Sequence, residues 1–573
     1  LKFLRKKLNK KMVDLSKIDR RKFISKAGSG AALVMGWPIL SSCDNSNRSK
    51  GSTEATKSFE PDIDLELTAV QSRMAILPGS ETNVWHFQGR LIKGDENVLE
   101  EVEGSYLGPT IKVRKGQKIR IRFTNSLPEE TIVHWHGMHV PEEYDGHPKD
   151  VIETGETYVY EFEILNRAGT YWYHPHPHGR TGPQVYNGLA GLLLVTDEEE
   201  QSLNLPAQEF DVPVVIQDRS FDNDNQLVYV ESRRDRMRGF LGSQILVNGN
   251  ANQTLDLKAG CSYRLRLLNG SNSRIFKLGW SDGRKVTVFG VDGSLLNEPK
   301  NLPYLMLGPA KRVDVWLDLT DISQGAELTM ENQSFPLVEA MSGGMMGGEM
   351  MNGDESSLPQ GSVYDVFKIK ISSNGSNRYK LPDKLAGDNY LKASDAIYAT
   401  NPRQFTFAMS HMEWTINGRT WETTGVSEEE KVKLNTTEVW ELINENGEMM
   451  MGSEGHPNDD SEGRGMMGNG GMMNRDEMGR GGMGNRMQMA HPIHLHQLQF
   501  NVLEYIVDDV DPELWDAVKD GFIKEGWHDT VLLMPGMRVK IIMRFENFKG
   551  LFLYHCHNLE HEDMGMMRNF LIN

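Results

Sequence analysis

Four short motifs hold residues able to bind metal and move electrons: His134-Trp135-His136, His174-Pro175-His176, His491-Pro492-Ile493-His494-Leu495-His496 and His555-Cys556-His557. In a strand, residues i and i+2 face the same side, so each His-x-His spacing presents two imidazoles to one cavity. Neutral imidazole suits copper, zinc, iron and nickel alike. The fourth motif narrows the choice. Cys556, His561 and Met566 follow at equal spacing, and His491 can add a second imidazole. Two His, one Cys and a weak Met are the ligand set of a blue-copper electron-transfer centre. Cys556 faces one side of its strand, and His555 and His557 face the other. A one-electron site on the thiol is thereby joined, through a short piece of backbone, to metals held by the flanking imidazoles. A structural zinc site wants one closed set of four ligands and does not explain eight paired His.

Strands must position these motifs. The runs Thr110–Arg114, Lys118–Phe123, Tyr158–Phe162, Tyr263–Leu268 and Lys540–Phe545 show largely period-2 alternation between turn residues. That pattern predicts antiparallel strands with one buried face, and helical periodicity is scarce. A loose repeat divides the chain. Gly108-Pro109-Thr110 leads to Asn125, Val247-Asn248-Gly249 to Asn269, and Ile416-Asn417-Gly418 to Asn444. The reading is an all-β protein of three β-sandwich domains, 61–200, 201–380 and 381–573.

Two Met-rich, Gly-rich stretches interrupt the pattern, Met341–Met351 and an insert over 447–489. Neither can form a packed core, and both are expected to be loops. Thioether sulfur selects Cu(I). The insert ends at Met487-Gln488-Met489, just before His491, so Met487 and Met489 are candidate ligands for substrate Cu(I).

The first 43 residues read as an address. Arg20-Arg21-Lys22-Phe23 is a twin-arginine pair, followed by an apolar run from Ala27 to Leu40 that is too short to span a membrane. Leu40-Ser41-Ser42-Cys43 resembles a lipobox. Met12 would be a more ordinary start for such a signal, with Leu1–Lys11 either an upstream extension or the result of an unusual start codon. Residues 44–60 look like a tether. The expectation is export in the folded state to the periplasm or cell envelope, with Cys43 a lipid anchor and the only link to a membrane. The chain has 573 residues and a net charge of −18, which argues against a nucleic-acid partner. Its three Cys, at 43, 261 and 556, cannot form a disulfide framework, and Cys261 reads as a structural thiol.

The sequence resembles the three-domain multicopper oxidases over essentially all of 61–573, and most of all the bacterial copper efflux oxidases (cuprous oxidases) and bacterial laccases. Tyr171–Val185, Asn187–Gly191 and His555–Met567 carry the match. The resemblance implies cupredoxin-like Greek-key domains and four copper ions per chain. It assigns His491, Cys556, His561 and axial Met566 to type 1 copper, and His134 and His494 to type 2. The type 3 pair takes His136, His174, His176, His496, His555 and His557. Asp145 and Glu562 match the family's proton-supplying carboxylates. Met564 and Met567 are alternatives to Met566 but lack its spacing. The Met insert departs from the efflux oxidases, where it precedes the segment matching Ile416-Asn417-Gly418. The family's acid two residues before the position of Met489 is Met487 here.

The implied activity is one-electron oxidation of Cu(I), and of phenols, coupled to four-electron reduction of O2 to water, with a role in periplasmic copper tolerance. One alternative is a laccase-like polyphenol oxidase. Another, of a different class, is a periplasmic copper-sequestering protein, which would not need so complete a set of His. One chain carries every ligand, so a monomer is expected. His139, His147, His178 and His411 are not needed by the ligand set, and Trp135 reads as packing.

Overall fold

The computed structural model describes residues 54–573, apart from 231, 253, 337–357, 378, 388, 411 and 446–488. The export signal with Cys43, residues 44–53 of the tether, Met341–Met351, Met487, His411 and nearly all of the 447–489 insert lie outside the described residues.

Six sheets fall into three successive pairs along the chain. The first pair uses strands between Ile63 and Thr196, the second between Asp211 and Asn374, and the third between Arg403 and Ile572. The period-2 signal is realised directly. In Lys118–Asn125, Ile119, Ile121 and Phe123 are fully buried, while Lys118, Arg122 and Thr124 occupy the more exposed face. Each pair of sheets closes on its own apolar core. Leu65, Ile121, Trp135 and Leu193 lie in the first, and Leu265, Phe276 and Val315 in the second, with Cys261 among them. Phe405, Trp440 and Phe552 lie in the third, which also encloses Cys556 and Met566.

The expected antiparallel pairing is incomplete. Among the described residues, every sheet contains one parallel pair, such as Ile63–Met74 beside Lys118–Asn125 and Arg403–Ser410 beside Thr436–Asn444. Alternation reports which face of a strand is buried. The direction of its neighbour is set by the long Greek-key connections.

Strand register brings the motifs together. Val133–His136 runs antiparallel to Gly169–Pro175, with His134 opposite His174. His491–Leu495 lies between Thr530–Leu533 and Gly550–Cys556, with His494 opposite both Thr530 and His555. A slip of one residue would turn every one of these side chains to the wrong face. The short helix Leu559–Asp563 follows directly and carries His561 and Glu562; Asn558 caps it through His561 N–H. Among the described residues, no helix is long and apolar enough to cross a membrane.

Candidate metal centres

The four histidine pairs converge. Ring centroids within each pair lie 5.6, 5.9, 5.0 and 5.5 Å apart, taking the motifs in chain order. Across the sandwiches the nitrogens come closer still. His134 Nε2 is 3.3 Å from His494 Nε2, and His136 Nδ1 is 3.3 Å from His174 Nε2. His555 Nε2 is 3.3 Å from His176 Nε2 and 3.2 Å from His496 Nε2. Two of the clusters are His136/His174/His557 and His176/His496/His555, each with its ligand atoms within 4.8 Å of one another. His134 and His494 meet beside them. The first and third sandwiches thus build one site together.

The orientation of each ring is set from behind. His134 Nδ1–H donates to Asp145 O at 2.6 Å, and His494 Nδ1–H to Asp529 O at 2.8 Å. Both rings therefore turn Nε2 inward as an acceptor. His174 and His555 are held in the same way by the carbonyls of Pro175 and Cys556, at 2.9 and 3.1 Å. His136 is reversed, with Nε2 3.2 Å from Asp529 Oδ1 and Nδ1 facing inward. Fixing one ring nitrogen decides which lone pair the other offers to a metal.

The second centre lies on the opposite side of the strand Gly550–Cys556. Cys556 Sγ is 3.4 Å from His491 Nδ1 and 3.8 Å from His561 Nδ1. Asn558 N–H points at the sulfur from 3.4 Å. Met566 is fully buried, and its carbonyl accepts from Cys556 N–H at 3.0 Å. Trp414 packs on both histidines, with ring separations of 5.1 Å to His491 and 4.2 Å to His561.

These residues fit metal ions better than they fit one another. Burial holds His174 down to about 4, and His176 and His491 down to about 3. Burial, aided by neighbouring histidines, holds His134, His136, His494, His496 and His557 well below the ordinary value. The rings are thus neutral, and their inward nitrogens face each other as lone pairs. Both nitrogens of His557 lack a hydrogen-bond partner within the protein. Burial also raises the Cys556 thiol, so a thiolate there needs a bound cation. Imidazoles with a single thiol are the donor set for copper.

The carboxylates flank the larger site. Asp145 Oδ2 accepts from His496 Nδ1–H at 2.8 Å, while its Oδ1 has no hydrogen-bond partner. Burial keeps Asp145 protonated well above the usual carboxyl range. Glu562 lies 3.2 Å from His555 Nδ1 and 3.6 Å from His176 Nε2. Met489 is partly buried against the core of the third sandwich, and its carbonyl accepts from Asn444 Nδ2 at 2.7 Å.

The residues set aside have other partners. His139 bonds Gln497 O and Asn547, and His147 bonds Asn569 and Lys149 N–H. His178 packs on Trp421, and Trp135 is buried edge-on against Tyr160. Asp529, Arg312 and Met237 hold ligand-type histidines in place, and sequence reasoning missed all three. Nothing local marks them: Asp529 is 393 residues from His136 along the chain.

Comparison with known proteins agrees with this geometry. Three family models, each described as multicopper oxidase, match residues 88–200, 211–326 and 464–573. A multicopper oxidase of Staphylococcus haemolyticus is 32% identical, covering 81% of each chain. A laccase of Bacillus subtilis is 28% identical over 81% of this chain and 88% of its own. The crystal structure of McoA, a multicopper oxidase from Aquifex aeolicus, superposes with a TM-score of 0.68 at 29% identity, over 90% of this chain and 97% of that one. The three sandwiches are therefore cupredoxin-like, and the chain, an oxidoreductase that uses copper and O2, belongs to the multicopper oxidase family.

Proposed function

We propose that the chain oxidises Cu(I), and phenols more slowly, at a type 1 copper held by His491, Cys556, His561 and Met566. In this reading His134 and His494 hold type 2 copper. His136, His174 and His557 hold one type 3 ion, and His176, His496 and His555 the other. When bound, the four ions supply one-electron storage and the four-electron reduction of O2 to water. One observation carries the reading: Cys556 faces His491 and His561, while its neighbour His555 faces His176 and His496. A single peptide step of the chain joins the two centres.

The chain's own residues do the rest. The closed cores and complete burial of the histidines keep bulk water from both centres. Asp145 holds a proton beside His496, and Glu562 sits between His176 and His555 where protons arriving from solvent can be relayed. Met489, two residues from His491, ends the Met-rich insert and offers soft sulfur for Cu(I). The twin-arginine and lipobox-like residues support a site of action in the cell envelope, anchored through Cys43, and a role in copper tolerance. The complete ligand set in one chain supports a monomer.

The test is O2 consumption by the copper-loaded protein with Cu(I) or a phenol, before and after deletion of 449–486. Cu(I) oxidation should fall, and oxidation of bulky phenols should rise. Unchanged Cu(I) kinetics would defeat the cuprous reading and leave a laccase-like polyphenol oxidase.

A further inference from the structure

His561 is fully buried, between Trp414 of the third sandwich and a segment of the second. Its Nε2–H donates to Met237 O at 3.2 Å. Met237 lies in the short helix Arg233–Arg238, closed at its start by a Ser232/Asp235 capping box. Both ends of this strap are tied to the helix that carries His561. Tyr229 O–H donates to Glu560 Oε1 at 2.6 Å, and Phe240 N–H to Glu560 Oε2 at 3.1 Å. Asn272 and Ser273 add bonds to the same carboxylate. Gly239 turns at φ +87°, where a Cβ would lie 2.5 Å from Asn558 Nδ2 and overlap Ser273 Oγ. The strap is therefore built against the type 1 ligand, with the Met237 carbonyl in direct contact with the His561 ring.

The outer face of that strap is basic. Arg233, Arg234 and Arg236 are exposed. From 231 to 238 the sequence sets four arginines against Glu231 and Asp235. Asp235 is partly committed to Ser232 N–H at 2.8 Å. In a chain of net charge −18, this local reversal lies over the electron-accepting histidine.

We propose that the strap is the docking surface for small anionic aromatic reductants, phenols that carry a carboxylate or sulfonate. The inference rests on the assignment of His561 to type 1 copper. Arginine pairs with carboxylates and stacks on aromatic rings, so Arg233, Arg234 and Arg236 suit both parts of such a molecule. The electron crosses the Met237 carbonyl to the His561 ring. Each phenol gives up one electron, releases its hydroxyl proton to solvent and leaves as a phenoxyl radical. Four such events match the four electrons and four protons that turn one O2 into two waters. Cu(I), a cation, is disfavoured on this face.

The test uses the copper-loaded full chain and its R233E/R234E/R236E variant. The probes are a dimethoxy-hydroxybenzoate, its neutral methyl ester and its cationic choline ester. At low salt the wild type should prefer the anion over the cation in kcat/KM by about tenfold, and the preference should collapse as salt screens the charges. The variant should reverse the order. Calorimetric titration with the O-methylated acid, which cannot be oxidised, should show weaker binding to the variant. An anion-to-cation ratio and an affinity unmoved by the triple reversal would overturn the proposal. Failure of the wild type to oxidise the neutral ester would instead overturn the type 1 assignment beneath it.

Discussion

Arg312 grips Asp529 with both ends of its guanidinium, Nη1 at 2.7 Å from Oδ1 and Nη2 at 2.5 Å from Oδ2, and neither side chain reaches solvent. Arg312 comes from the second sandwich, which carries none of the histidine motifs. Asp529 touches His136 through Oδ1 and His494 through its carbonyl. The middle sandwich thus fixes the rings contributed by the other two. Arg312→Met would leave a buried carboxylate unpaired, at a cost of about 3–5 kcal/mol. Arg312→Lys keeps the charge but loses the fork. The lysine variant should fold, keep the blue absorbance of the Cys556 centre and lose copper from the histidine cluster. Metal analysis alongside the visible spectrum checks this; full copper content in both variants would refute it.

In the proposed reading Asp145 supplies protons to the histidine cluster. Asp145→Asn keeps the size and can still accept from His496 Nδ1–H, but it removes the proton that burial retains on the carboxyl. Copper should stay bound while O2 consumption falls about a hundredfold, within the usual range for a lost acid catalyst. The deficit should widen as pH rises and solvent protons become scarcer. Unchanged turnover across pH with copper fully loaded would remove Asp145 from the proton path.

Gly146 holds the loop behind the first motif. Its φ is +85°, and a Cβ there would overlap Val133 O and lie 2.6 Å from His134 Cα. Gly146→Ala meets both penalties, about 1–2 kcal/mol for the left-handed backbone and more for moving the strand that bears His134. The melting temperature should fall, and the type 2 paramagnetic signal should weaken before the blue band does. A variant with wild-type stability and signal would show that the loop gives way at no cost.

The histidine motifs were legible because their chemistry repeats at strand spacing. Any strand that buries one face must send both members of a His-x-His pair the same way, and the burial of Ile119, Ile121 and Phe123 shows the rule at work. Cys556 was legible because equal spacing links it to His561 and Met566. The supports were not. Asp529 and Arg312 meet across sandwiches, 217 residues apart in sequence, and Met237 acts through its main chain, which every residue possesses. The parallel pair in each sheet was hidden for a related reason: strand direction follows from long connections, which leave no trace in alternation.

The neutral histidines also set the acid response of the copper-free protein. His174, His176 and His491 are held by burial to about 4, 3 and 3, and His134, His136, His494, His496, His557 and His561 well below the ordinary 6.5. Below pH 6.5 the unfolded chain takes up protons on these rings, and the folded chain does not. Stability is therefore fully present above about pH 6.5 and is lost as pH falls toward 3, by about 1.4 kcal/mol per pH unit for each such ring. Asp145 and Asp529 run the other way: burial raises both, so they favour the fold at low pH. The histidines outnumber them, and the net effect should be steep acid lability beginning above the usual carboxylate range. Urea unfolding of copper-free protein at pH 7.5, 6.5 and 5.5 should show midpoints falling with pH. Adding copper at pH 7.5 should raise the midpoint, because only neutral imidazole binds metal and only the fold gathers the rings. A midpoint that stayed level or rose on acidification would mean that the rings are already protonated in the folded chain, and the lone-pair geometry assigned to both centres would then be wrong.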